Sequence, residues 1–108
     1  MVSIQDARIE ALKAMLEADP KDAFALYGLA IEYKTSGDLE AALPLLEAAI
    51  ALPNPEVYAY YQLGEVLIAL AENEEAEDVL KTDIARAQDV GYEKAFNELR
   101  ALLDTIID

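Results

Sequence analysis

The chain has 108 residues, with 22 Asp and Glu against 8 Lys and Arg, a formal net charge of −14, and neither cysteine nor histidine. This length fits one domain, and a hydrophobic content of 55% supplies a core, so a disordered acidic tail is not expected. The charge disfavours nucleic acid and anionic membrane surfaces as partners, and the composition excludes disulfides, thiolate nucleophiles, zinc triads and imidazole catalysts.

Short clusters of turn-forming residues divide the sequence into six segments, each with the three- and four-residue apolar spacing of a helix. The clusters are Asp19-Pro20, Ser36-Gly37-Asp38, Pro53-Asn54-Pro55, Glu72-Asn73 and Val90-Gly91. Asp19 and Asn54, each followed by proline, are predicted to begin helices as N-caps. Gly37 is predicted to end a helix in the left-handed conformation, and Asp38 to cap the next one. Because the turns are short, consecutive helices are expected to pack antiparallel.

The first helix is interrupted by charged residues and lacks the basic flank and apolar run of a signal peptide. Other apolar stretches are broken before they reach membrane-spanning length, for instance by Glu47. These features predict a soluble protein without membrane association, and we expect it in the cytoplasm.

A shift of about 34 residues superposes the second and third predicted helices on the fourth and fifth. The matching pairs include Ala25 with Ala59, Leu29 with Leu63, Ala42 with Ala76, Leu46 with Leu80, Phe24 with Tyr58, and Tyr27 with Tyr61. The leading helix continues the pattern, because Leu12 and Met15 lie one period before Leu46 and Ala49. The chain therefore contains an internal repeat.

The repeated residues resemble the tetratricopeptide repeat family. Its pattern appears first as Leu26, Leu29-Ala30, Tyr33, Gly37 and Ala42, and again as Tyr60, Leu63-Gly64, Leu67, Ala76 and Leu80. The resemblance implies an all-α, right-handed helical-repeat solenoid of about six antiparallel helices in a single domain. We expect a leading half repeat in residues 1–19, repeats in 20–53 and 54–88, and a capping helix in 91–108, whose apolar stripe carries no repeat signature.

In this family the first helix of each pair lines a concave ligand-binding face, so the resemblance implies a non-enzymatic adaptor that binds a protein or peptide. The implied contact residues are Phe24, Tyr27, Ile31 and Lys34 in the first repeat and Tyr58, Tyr61, Glu65 and Ile68 in the second. Exposed aromatic residues usually mark a partner site, and tyrosine gives a large contact area with a polar tip. The expected ligand is an apolar or aromatic segment with basic flanks. A clamped carboxylate is not expected, because it would meet Glu65 instead of a cation.

Two alternatives remain for the aromatic face. The C-terminal helix could cover it, or a second copy could, in which case the protein is a self-associating module that forms a homodimer through this face or through the C-terminal helix. The acidity is also consistent with an adaptation to high salt that has no bearing on the ligand.

Catalytic residues, metal ligands and cofactors are not expected. The acids lie mostly on predicted polar faces, where they would be solvated, and the hydroxyl groups have no histidine to activate them. The acidic stretch 72–78 opens a helix, where the exposed amides favour carboxylates. A calcium or magnesium site is the alternative for this stretch, although its spacing is not that of an EF-hand.

Two residues depart from the repeat pattern. Asp83 stands where Ala49 stands one period earlier, and an unpaired carboxylate is costly to bury. We therefore expect Asp83 to be exposed or paired with Lys94 or Arg86. Pro44 lies in the second turn of its helix, where it predicts a local kink.

Overall fold

The computed structural model describes residues 3–107, so the predicted bounds at residues 1 and 108 lie outside the described part of the chain. Within residues 3–107 the structure contains six helices joined by turns and no strand, which confirms the predicted all-α class. The helices are α1 (Ile4–Ala18), α2 (Ala23–Thr35), α3 (Leu39–Ile50), α4 (Val57–Ala69), α5 (Asn73–Asp89) and α6 (Glu93–Asp104).

The chain divides into two compact units on either side of the bond between Pro55 and Glu56. Unit 1 contains α1, α2 and α3, and unit 2 contains α4, α5 and α6. The division lies beside the predicted junction of the two repeats, at residues 53 and 54.

Two predicted helix starts are wrong. The side chain of Asp22, not that of Asp19, caps α2 by accepting a hydrogen bond from the backbone N–H of Ala25 at 3.0 Å. The cap of α4 is Glu56 instead of Asn54. In both cases the proline lies in the connecting turn, before the cap, instead of in the first turn of the helix, so the turn is longer than predicted.

The turn that follows α2 is as predicted. Gly37 has a φ of 88°, in the left-handed region that glycine favours, and Asp38 caps α3 by accepting from the N–H of Ala41. One period later Ala71 takes the place of Gly37, with a φ of 63°. A residue with a β-carbon is strained there.

Unit 1 is held together by α2, which packs against both α1 and α3. Its core cluster joins Leu12 of α1 to Ala25 and Leu29 of α2. Helix α3 continues through Pro44, and the predicted kink there stays a prediction.

In unit 2, α4 packs against both α5 and α6, which also pack against each other. The buried members of the cluster are Leu80, Ala87, Ala95, Leu99 and Leu103, and Val57, Tyr61 and Ile68 of α4 cover them. Helices α4 and α5 approach closely at Gly64, where a β-carbon would lie 2.6 Å from Cδ2 of Leu80. In the last helix Leu99 and Leu103 are buried, while Tyr92 at its start is 44% exposed.

None of the helices formed by residues 3–107 combines the length and the apolar composition required to cross a membrane.

Candidate functional site

An open groove of about 430 Å³ lies between α1 and α2 in unit 1. Its lining is mainly apolar and consists of Arg8, Ala11, Leu12, Met15, Phe24, Tyr27, Gly28, Ile31 and Glu32. Three residues predicted to contact a ligand, Phe24, Tyr27 and Ile31, are therefore brought together on one surface. Lys34, the fourth predicted contact of this repeat, is not part of the lining.

Next to the groove, α1 and α2 are in contact through a glycine of α2 and a leucine of α1. A β-carbon on Gly28 would lie 3.2 Å from Cδ2 of Leu12, so the two helices are in close contact at this point. Leu12 is 8% exposed, whereas Phe24 is 71% and Met15 37% exposed. Large apolar side chains thus remain accessible next to a packed contact, as is typical of a binding surface.

Polar interactions join α1 to α2 beside the apolar lining. The Arg8 guanidinium donates to the carboxylate of Glu32, with Nε 2.6 Å from Oε1, and the side-chain amide of Gln5 donates to the same carboxylate at 3.3 Å. The hydrogen bond from Arg8 lowers the pKa of Glu32. The pair stays charged and helps to hold the two helices in register.

In unit 2 the predicted contact residues lie against α6. The rings of Tyr58 and Tyr61 meet edge to face with centroids 6.4 Å apart, and the Tyr58 hydroxyl donates to Glu98 of α6 at 3.4 Å. Tyr61 and Ile68 pack against the core cluster. Burial, followed by the charge of nearby glutamates, raises the pKa of both tyrosine hydroxyls, which therefore remain neutral.

The remaining predicted residue of this repeat, Glu65, is half-buried on α4.

Sequence reasoning missed the contribution of α1 to the groove, because it considered only the first helix of each pair. The signal was the register that places Leu12 and Met15 one period before Leu46 and Ala49, which makes α1 the second helix of a pair.

Asp83 is fully buried and paired with Arg86, so of the expected alternatives the pairing is confirmed and exposure is not observed. Its Oδ1 accepts from Nη1 of Arg86 at 2.9 Å, and Oδ2 has no hydrogen-bond partner among the described residues. Burial raises the pKa of Asp83 to about 6, against the opposing effect of the Arg86 charge. The other expected partner, Lys94, lies instead 4.0 Å from Glu98 on its own helix.

Within the described residues, no three acidic side chains come together in a way that could hold a metal ion, and this includes the stretch 72–78. Glu74 and Glu75 lie in the first turn of α5, and Glu77 pairs with Lys81 at 2.8 Å. These carboxylates act locally on the helix that carries them.

The sequence model of the family described as "Tetratricopeptide repeat" matches residues 33–103, which is more than half of the chain. The chain belongs to the tetratricopeptide repeat family. Repeats of this family generally mediate protein–protein interaction, and their fold is typically a non-catalytic interaction module.

A structural comparison gives the same result. The crystal structure of MamA, a protein that contains tetratricopeptide repeats, matches this chain with a TM-score of 0.73 and 27% sequence identity. The match covers 97% of this chain but 66% of the MamA chain, so this chain spans just under two thirds of that protein. No curated protein sequence matched.

Proposed function

We propose that this tetratricopeptide repeat protein is a non-enzymatic adaptor whose binding site is the groove between α1 and α2. Its ligand is an apolar or aromatic segment of another protein, flanked by basic residues. The observation that carries the proposal is the exposed apolar lining, in which Phe24 is 71% exposed beside Tyr27 and Ile31. A surface of this kind is costly to leave in water and gains from a partner that covers it.

The net charge of the chain supports the proposal that basic residues flank the ligand segment. The chain carries a net charge of −14, so a basic partner is attracted over a distance set by ionic strength and an acidic one is repelled. Within the groove, Arg8 is already engaged by Glu32, so its charge is largely neutralised. Apolar contacts are therefore expected to supply the affinity, and charge to set the choice of partner and the rate of association.

We expect the ligand to contact mainly residues of unit 1. In unit 2, Tyr58 is hydrogen-bonded to α6, and Tyr61 and Ile68 are half-buried against the core cluster, so they offer less free surface to a ligand than Phe24 does. Lys34 and Glu65 stay predicted contacts of the ligand.

Self-association is the alternative function. A homodimer would bring together two chains that each carry −14, and this repulsion must be overcome before any apolar contact forms. Charge therefore favours a different protein as the partner.

Matched aromatic substitutions test the proposal. Phe24→Ala changes the groove, and Tyr92→Ala changes an exposed aromatic residue at the start of α6 that is not part of it. Bound proteins from a cell extract are identified by mass spectrometry for the wild-type chain and for each variant. We expect the proteins held by the wild type to be lost with Phe24→Ala and kept with Tyr92→Ala. Equal retention by both variants, each shown to be folded by circular dichroism, would make the groove assignment wrong.

A further inference from the structure

The groove of unit 1 has a counterpart inside unit 2. A shift of two repeat periods places α1 and α2 on α5 and α6, so that residues of the groove fall on residues of the second unit. The corresponding pairs are Leu12 with Leu80, Tyr27 with Ala95, Gly28 with Phe96, and Ile31 with Leu99.

In unit 2 these positions form a core instead of a groove. Leu80, Ala95 and Leu99 are at most 1% exposed, and Phe96 packs against them. Helix α4 covers this cluster with Val57, Tyr61 and Ile68, and it contacts both α5 and α6. The groove of unit 1 therefore lies where unit 2 has a third helix.

We infer that the groove receives an amphipathic α-helix from a partner protein, in the place that α4 has in unit 2. The helix presents an apolar face with a small residue opposite Leu12, and it carries Lys or Arg beside that face. This inference rests on the proposed function, since it specifies the ligand of the same groove.

Backbone hydrogen bonding favours a helix over an extended ligand. An extended segment in this groove would bury backbone N–H and C=O groups against a lining that is mainly apolar. Each unpaired buried polar group is costly, whereas a helix pairs these groups internally. The groove can then be filled by side chains alone.

The contact between Gly64 and Leu80 indicates that the partner helix needs a small residue opposite Leu12. In unit 2 a β-carbon at position 64 would lie 2.6 Å from Leu80, so the covering helix approaches closely only because it carries glycine there. Leu12 is the residue of unit 1 that corresponds to Leu80 of unit 2. A helix that packs in the same way needs glycine at the matching place.

Helices α4 and α6 of a second copy are poor sources of such a helix. Its α4 is already engaged with α5 and α6, and the outward side of α6 carries exposed Lys94, Asn97 and Asp104. Among the described residues, exposed large apolar side chains outside the groove are scattered, at Ile4, Val90, Tyr92 and Ile107. Together with the charge of −14, this indicates a different, basic protein as the source of the helix.

A synthetic helix with a sequence taken from α4 tests the inference with a defined probe. The probe is a fluorescein-labelled peptide with the sequence of residues 56–71, in which Glu56 and Glu65 are replaced by lysine and two lysines are added at each end. Its binding to the full chain is measured by fluorescence anisotropy, and its helix content by circular dichroism. We expect saturable binding accompanied by a gain of helix.

Substitutions in the chain and in the peptide locate the contact. Ile31→Asp in the chain, or leucine in place of the peptide glycine that corresponds to Gly64, should weaken binding at least about tenfold. Tyr92→Ala in the chain is the matched control and should leave the affinity unchanged. Replacing the added lysines by glutamates should weaken binding at low salt, and this difference should shrink at high salt.

Four results would overturn the inference. Equal binding of a peptide with proline at the position of Gln62, which cannot form the helix, means that the groove takes an extended segment, while the proposed function stands. Equal binding of the acidic peptide at low salt means that the basic flank is wrong. Failure of every peptide to bind, with sedimentation showing a dimer that Ile31→Asp dissociates, assigns the groove to a second copy. Failure of every peptide to bind a monomeric chain removes the helix as ligand. In the last case, the Phe24→Ala capture experiment decides separately whether the proposed function also fails.

Discussion

Units 1 and 2 each contain three helices, but the same helix pair has a different environment in each. In unit 2 the pair α5 and α6 is covered by α4, and Leu80 and Leu99 are almost completely excluded from solvent. In unit 1 the equivalent pair, α1 and α2, forms an open groove above Leu12 and Ile31. Leu12 and Leu80 are both buried, but Ile31 lines a groove where the equivalent Leu99 belongs to the core, because burial at this position depends on the third helix as well as on the pair itself.

Two glycines that contact leucines also lie in different environments in the two units. Gly64 lies under a packed leucine in unit 2, whereas Gly28 faces a leucine beside an open groove in unit 1. Similar contacts therefore differ in how far they can adjust when a side chain changes size, since an open surface relaxes more easily than a closed core.

The largest expected effect comes from truncating the two equivalent leucines. Leu80→Ala creates a cavity among three helices and should lower the free energy of unfolding by about 3–5 kcal/mol. Leu12→Ala opens the space to an existing groove and should cost only about 1–2 kcal/mol. Urea unfolding followed by far-UV circular dichroism measures both. Equal losses would show that the two environments are not different in the way the burial indicates.

The next effect concerns the buried carboxylate of unit 2. Burial raises the folded-state pKa of Asp83 from its ordinary value of 3.8 to about 6, so the folded chain binds this proton more tightly than the unfolded chain. Its contribution to stability is therefore most favourable below about pH 4 and is lost as the pH rises through 6. Relative to the wild type, Asp83→Asn should therefore become more favourable by about 2–3 kcal/mol as the pH rises from 4 to 7.5.

Thermal unfolding of both proteins between pH 4 and 8 checks this expectation. Asp89→Asn, at an exposed position of the same helix, is the control and should change the stability by less than about 0.5 kcal/mol at any pH. A benefit of Asp83→Asn that does not change with pH would contradict the assignment of the effect to the buried charge.

The two helical glycines give a smaller difference. Gly64→Ala places a β-carbon against the fully buried Leu80 and should destabilise the chain by about 1–2 kcal/mol, despite the better helix propensity of alanine. Gly28→Ala meets only Leu12 beside the groove and should be neutral or stabilising by up to about 1 kcal/mol. The same urea titrations measure both substitutions, and a loss at Gly28 as large as that at Gly64 would argue that Leu12 has no room to move.

The smallest effect concerns the turns that follow α2 and α4. Ala71→Gly should stabilise the chain by up to about 1 kcal/mol, because it relieves a left-handed conformation at a residue with a β-carbon. Gly37→Ala, one period earlier, should destabilise it by a similar amount, about 1 kcal/mol. Differences in melting temperature report both changes. A gain from Gly37→Ala would mean that the two turns are not equivalent.

Much of the fold could be predicted from local sequence. Apolar spacing and turn residues predicted six helices, and the cap at Asp38 and the left-handed Gly37 were correct because each depends on a few neighbouring residues. The starts at Asp19 and Asn54 were wrong, since a proline predicts the neighbourhood of a helix start but not the residue that caps it. The candidate site was predicted only on its α2 side, where Phe24, Tyr27 and Ile31 lie at helical spacing.

By itself the sequence determined the helix count, the repeat and the family, because apolar periodicity and helix capping depend on residues that are close to one another in the chain. Only the tertiary structure decided which apolar face is covered and which is open. The aromatic residues of α2 and α4 look alike in sequence, yet α6 lies against Tyr61, while Phe24 borders a groove with α1. The burial of Asp83 was likewise decided by the tertiary structure, because it depends on the helices packed around the carboxylate and not on its neighbours along the chain.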